Sequence, residues 1–221
     1  MSSVKEISFP SHDDETLTLE GSLWTPDERK CEKVCVLVHP WGVLGGSQAN
    51  TEPCAEILSS VYGIECVTFN LRGVGRSTGS STYRCRREIE DAVGACDWVR
   101  TNLNRPIVLV GSSAGAAIAG SALDRVPEAI AYIGIGYTFG WISSVMFGSH
   151  FDAILSSEKP KLFIMGTTDQ FTSVNQLEGR LAIMKNVSSH LVMDGAHFDL
   201  ETRKHAKTTG EVIGKFIDAL P

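Results

Sequence analysis

The sequence predicts an α/β protein: a mostly parallel central sheet of about eight strands, flanked by helices and opened by an N-terminal β-hairpin. Three observations predict it. Six short apolar runs recur from residue 34 onward, at 34–38, 64–69, 107–110, 131–135, 161–165 and 190–193. Stripes at helical spacing occur between and after them. The first 30 residues instead show partial alternation of apolar and polar positions. Strands alternating with helices imply crossover connections and parallel pairing, with ligands expected where the strands end.

Each element has its own reason. Glu6-Ile7-Ser8-Phe9 and Leu17-Thr18-Leu19-Glu20-Gly21-Ser22-Leu23-Trp24 alternate and are split by the polar His12-Asp13-Asp14-Glu15, the pattern of a hairpin. Most later runs are continuously apolar, which suits strands covered on both faces. Within 86–103 the apolar set Ile89, Ala92, Val93, Cys96, Val99 and Leu103 falls on one helical face. Val212, Ile213, Phe216, Ile217 and Leu220 form a similar stripe in the last helix.

Composition narrows the function classes. The chain has 221 residues, and with domains of roughly 150 residues as a guide it is expected to form a single domain over 1–221. The charge of −6 argues against a nucleic-acid partner, which calls for a basic surface. No apolar run approaches the roughly 18 residues of a membrane span. The start, Met-Ser-Ser-Val-Lys-Glu-Ile-Ser, lacks a basic region followed by an apolar stretch, so a cytoplasmic location is expected. The cysteines at 31, 35, 54, 66, 85 and 96 form no C-x-x-C and no zinc-site spacing, and reduced, packed thiols are expected. No metal or other cofactor motif is apparent.

Gly111-Ser112-Ser113-Ala114-Gly115 fits G-x-S-x-G. The apolar 107–110 run precedes it and a helix of small residues follows, the strand–turn–helix context of a nucleophile elbow. The alternative is a glycine-rich turn without chemistry. A serine needs a base, and in this architecture acid and histidine follow the serine in the chain. Of the later histidines, 150, 190, 197 and 205, His197 lies in a turn just past the last strand, at the sheet edge where Ser113 is expected. Asp169 ends the 161–165 strand through a short polar turn and is the expected acid. Asp194 is its rival, only three residues before His197. The loop His39-Pro40-Trp41-Gly42-Val43-Leu44-Gly45-Gly46 follows the first parallel strand. Pro40 has no N–H, so the backbone N–H groups of Trp41 and Ala114 are the expected oxyanion donors. His39 is expected to order that loop. Gly73-x-Gly75-x-x-x-Gly79 follows a strand without a directly succeeding apolar helix, which argues against a dinucleotide site. Arg84, Arg86 and Arg87 read as a solvated helix start that could also hold an anionic substrate tail.

Ser113, Asp169, His197 and the His-Pro-Trp-Gly loop resemble the α/β-hydrolase superfamily. Arg72-Gly73-Val74-Gly75-Arg76-Ser77 resembles the R-G-x-G-x-S segment of those enzymes. The chain is most similar to small lidless serine esterases and the dienelactone-hydrolase-like group, although a dienelactone hydrolase has cysteine at the elbow. Serine there argues against epoxide hydrolases and haloalkane dehalogenases, which use aspartate. The resemblance implies a serine hydrolase acting on a small-molecule ester, thioester or lactone through an acyl-enzyme, without a cofactor. The alternatives are a non-catalytic, ligand-binding member of the fold, or the same triad used for acyl transfer or peptide hydrolysis. Residues 136–160 are too few for a multi-helix lid. This apolar interval, with Trp41, is expected to supply a pocket wall from Phe139, Trp141, Met146 and Phe147.

Overall fold

The computed structural model describes residues 2–140, 150–200 and 202–221. Eight strands form one sheet: β1 (Ser2–Ser11), β2 (Asp14–Pro26), β3 (Val34–Val38), β4 (Glu65–Phe69), β5 (Ile107–Ser112), β6 (Ala129–Ile135), β7 (Lys161–Gly166) and β8 (Val187–Val192). Their order is β1-β2-β4-β3-β5-β6-β7-β8. β1 pairs antiparallel with β2, and β2 with β4; every other pairing is parallel. This is the α/β-hydrolase fold that the sequence predicts, with its N-terminal hairpin. The helices described are α1 (Glu52–Ser60), α2 (Glu88–Asn102), α3 (Ala114–Ala122), α4 (Phe151–Ser156), α5 (Val174–Leu181) and α6 (Arg203–Asp218). None is long and apolar enough to cross a membrane.

The inner parallel strands are buried along their whole length and mostly apolar because helices cover both faces. Val34, Val36 and Val38 of β3 pack into the core with residues of α2 and α3. Cys35 and Leu37 point the other way, into the core shared with α1 and α6. Period-two alternation therefore persists, but both sets are buried and it leaves no polar trace in the sequence. All six cysteines carry free thiols, and all but Cys31 are buried.

The hairpin is longer than its apolar pattern suggests. Most of β1 is exposed, so its backbone pairing extends where no buried face imposes alternation. β8 likewise starts at Val187, three residues before the apolar run, because it is an edge strand with exposed Ser188 and Ser189.

The arginine of the R-G-x-G-x-S segment locks the fold. Buried Arg72 donates from Nε and Nη2 to the buried Asp91 carboxylate at 2.8–3.0 Å. It also donates from Nη2 to Ser11 Oγ at 2.8 Å and Asp13 at 3.0 Å, tying β4 to α2 and the hairpin turn. Ser77 Oγ donates to the Asn70 carbonyl and accepts the Glu20 N–H. The Gly73-x-Gly75 turn is thus stapled to the sheet.

Candidate active site

Three strand ends deliver the candidate side chains to one edge of the sheet. β5 ends at Ser112, and Ser113 stands between it and α3 at φ +53°, ψ −120°. That region is sparsely populated for a residue with a side chain, and such strain persists only where the surroundings impose it. Here close packing does so. A Cβ on Gly111 would stand 2.3 Å from the Gly115 carbonyl oxygen, and one on Gly115 would stand 2.3 Å from the carbonyl oxygens of Val38 and His39. The second contact draws the 39–46 loop onto the start of α3, bringing Trp41 to the side of Ser113.

The turns after β7 and β8 are laced together. Thr167 N–H donates to the Val192 carbonyl, Thr168 N–H and Oγ to the Gly195 carbonyl, and Asp194 N–H to Thr167 Oγ1. The lacing brings Asp169 to His197. His197 Nδ1 lies 2.8 Å from Asp169 Oδ2, and His197 Nε2 lies 2.9 Å from Ser113 Oγ. Asp169 Oδ1 also accepts the backbone N–H groups of Phe171 at 2.8 Å and Thr172 at 2.9 Å. With its second oxygen so fixed, the carboxylate has one orientation toward the imidazole. The His197 and Asp169 side chains are only 3% and 1% exposed, which keeps water from competing for their bond. The Phe171 and Phe198 rings lie 4.5 and 5.1 Å from the imidazole.

The rival acid lies elsewhere: Asp194 is solvent-exposed at φ +56°, in the turn before the histidine. Two of the other histidines, His150 and His39, have structural partners. His150 is buried, with Nδ1 2.8 Å from Ser121 Oγ and Nε2 2.8 Å from the Arg84 carbonyl. His190 lies within β8 and His205 within α6. His39 Nε2 accepts the Leu71 N–H at 3.0 Å, so its proton sits on Nδ1 and is donated to the Pro40 carbonyl. Full burial pushes the His39 pKa down to about 4, so the ring is neutral and serves to pin the loop.

Beside Ser113 is an open cleft of about 110 Å³, lined by Pro40, Trp41, Leu44, Gly45, Gly46, Asn50 and Phe198. Ala114 opens α3, whose first N–H groups have no acceptor within the helix. Phe139, expected on the pocket wall, is not among the described residues that line this cleft. It is 3% exposed and stacks on Tyr137 with ring centroids 4.1 Å apart, while its N–H is held by Thr172 Oγ1. Trp141, Met146 and Phe147 lie outside the described residues. Sequence reasoning missed Leu44 and Phe198, although the place of Leu44 in the 39–46 loop and of Phe198 next to His197 was a usable signal. It also missed the Phe171 and Thr172 amides, which no residue type reveals. Arg84, Arg86 and Arg87 are exposed before and at the start of α2. Among the described residues no group of three or more His, Cys, Asp or Glu is arranged to hold a metal ion.

A family model described as an alpha/beta hydrolase domain matches residues 55–219. The chain belongs to the alpha/beta hydrolase domain family. Solved structures agree on the hydrolase fold. An alpha-beta serine hydrolase homologue from Coxiella burnetii is 21% identical with a TM-score of 0.80, covering 96% of each chain. A serine hydrolase without lid from Xanthomonas campestris is also 21% identical at a TM-score of 0.80, covering 99% of this chain and 97% of its own. A Pyrococcus furiosus esterase is 18% identical at 0.80, covering 99% and 92%. No curated protein matches this hydrolase-family chain.

Proposed function

We propose that this hydrolase is a serine esterase-like enzyme that cleaves a small ester, thioester or lactone through an acyl-enzyme. The reading rests on one observation: the hydrogen-bonded series Ser113 Oγ, His197 Nε2, His197 Nδ1 and Asp169 Oδ2, with separations of 2.9 and 2.8 Å. In the neutral tautomer Nδ1–H donates to Asp169 and Nε2 is left to accept the serine proton. Ser113 Oγ attacks the substrate carbonyl carbon as its proton passes to His197 Nε2. Asp169 stabilises the imidazolium without itself taking the proton. The carbonyl oxygen becomes an oxyanion, held by the N–H groups of Trp41 and Ala114. The C–O or C–S bond then breaks, and Nε2–H protonates the departing alkoxide or thiolate. Water, losing its proton to the same nitrogen, cleaves the acyl-enzyme and restores Ser113.

The alternative of a non-catalytic binding protein makes an opposite prediction. An activity-based fluorophosphonate should label the wild-type chain and Ser112→Ala but not Ser113→Ala. Ser113→Ala should also lose on the order of 10⁴- to 10⁶-fold in kcat on an aryl acetate. Labelling that survives Ser113→Ala would overturn the assignment, and an unlabelled wild type would favour the binding reading.

A further inference from the structure

The cleft beside Ser113 has an apolar rim that the fold leaves largely exposed. Leu44 is 72% exposed and Phe198 67% exposed, yet both line the cleft. They come from separate segments, the 39–46 loop and the turn carrying His197. Exposed Tyr83 extends the surface, standing edge-on to Trp41 at 5.4 Å. A single exposed leucine is ordinary on a protein surface. Several large apolar side chains gathered around a nucleophile are not, because only a bound molecule removes them from water. Among the described residues no charged side chain lines this cleft, and Asn50 and Ser113 supply its polar side chains. A charged acyl group would lose water there without gaining a counter-ion.

Resting on the serine-hydrolase reading, we infer that the substrate's acyl part is an uncharged apolar chain of short to medium length, seated between Leu44 and Phe198. The two side chains set acyl selectivity. The cleft is open, so each added methylene helps only while it covers one of them, and the chain then runs into solvent. Full burial of a methylene corresponds to about a fourfold gain in binding, and one-sided cover to about half that factor.

The test is kcat/KM on p-nitrophenyl acetate, butyrate, hexanoate, octanoate and dodecanoate, each below its solubility limit, with a parallel series of acetate esters of lengthening alcohols. Wild type should gain about twofold per methylene from acetate to octanoate and level off by dodecanoate. In Leu44→Ala/Phe198→Ala the octanoate-to-butyrate ratio should fall from on the order of tenfold to near one. This ratio is internal to each enzyme, so partial misfolding does not move it. Val61→Ala, at the far end of α1, should retain the wild-type ratio. A double variant with wild-type acyl preference would overturn the inference, as would a preference that follows the alcohol series or a wild type favouring succinyl over butyryl esters. The hydrolase reading fails separately, if Ser113→Ala still hydrolyses the acetate.

Discussion

Gly136 and His197 are packed face to face: a Cβ on Gly136 would stand 3.3 Å from both Cε1 and Nδ1 of the imidazole. Gly136 follows β6 at φ +58°, and its N–H donates to the Ile164 carbonyl at 2.8 Å. The end of β6 is thereby fixed beside β7 and acts as a backstop for the ring that must face Ser113.

Gly136→Ala should therefore harm catalysis beyond its cost to stability. The left-handed conformation costs a residue with a Cβ about 1–2 kcal/mol. The methyl would also displace the imidazole by a few tenths of an ångström, and kcat should fall about tenfold with KM little changed. Gly179→Ala is the contrast, since a Cβ there meets nothing within 4 Å. It should raise stability by about 0.5–1 kcal/mol and leave kcat alone. Steady-state kinetics and urea unfolding on both variants check this, and an unchanged kcat in Gly136→Ala would refute the backstop.

Asp169→Asn should reduce kcat on the order of 10⁴-fold, the scale seen when a serine protease loses its triad aspartate this way. The amide no longer dictates which imidazole nitrogen holds the proton. Asp194→Asn should stay within a few-fold of wild type, because that side chain is exposed and asparagine tolerates its positive φ. A large loss at Asp194 with little at Asp169 would reverse the assignment.

His39 should make the fold acid-sensitive. Its pKa falls from about 6.5 to about 4 because burial excludes water from the imidazolium. Below about 6.5 the unfolded chain takes up a proton that the folded state refuses until about 4. The stability it contributes is complete above the unfolded value and is lost as pH falls through this window, by about 3 kcal/mol. Urea unfolding of wild type and His39→Asn at pH values across that window should show their stability difference shrinking toward acid. A constant difference would contradict neutral burial of this ring.

How much was legible follows from what each residue had to satisfy. Strands covered on both faces had to be mostly apolar, so β3, β4, β5 and β7 stood out. Helix α5 did not, because Val174, Leu177 and Leu181 make a stripe of only three apolar residues, and Leu177 alone is fully covered. Ser113 was legible because its strained turn demands glycine neighbours at fixed offsets. Phe139 was misplaced on the pocket wall because an aromatic side chain near a site has the same letter whether it lines the cleft or stacks on Tyr137. The burial of its ring and the bond from Phe139 N–H to Thr172 Oγ1, between residues 33 positions apart, tell them apart.

The sequence by itself determined the sheet's apolar strands, the elbow at Ser113 and the chain order of serine, acid and histidine. Each of these is a local demand on residue type: burial on two faces, a turn with no room for side chains, a turn beyond a strand. Only the tertiary structure decided that Asp169 and not Asp194 meets His197, that Gly136 backs the imidazole, and that Leu44 and Phe198 share one cleft. Those relationships join residues from separate strand ends. The parallel pairing of β5, β6, β7 and β8 and the lacing of the turns after β7 and β8 set the distances between them, and these are properties of the packed chain rather than of any one segment.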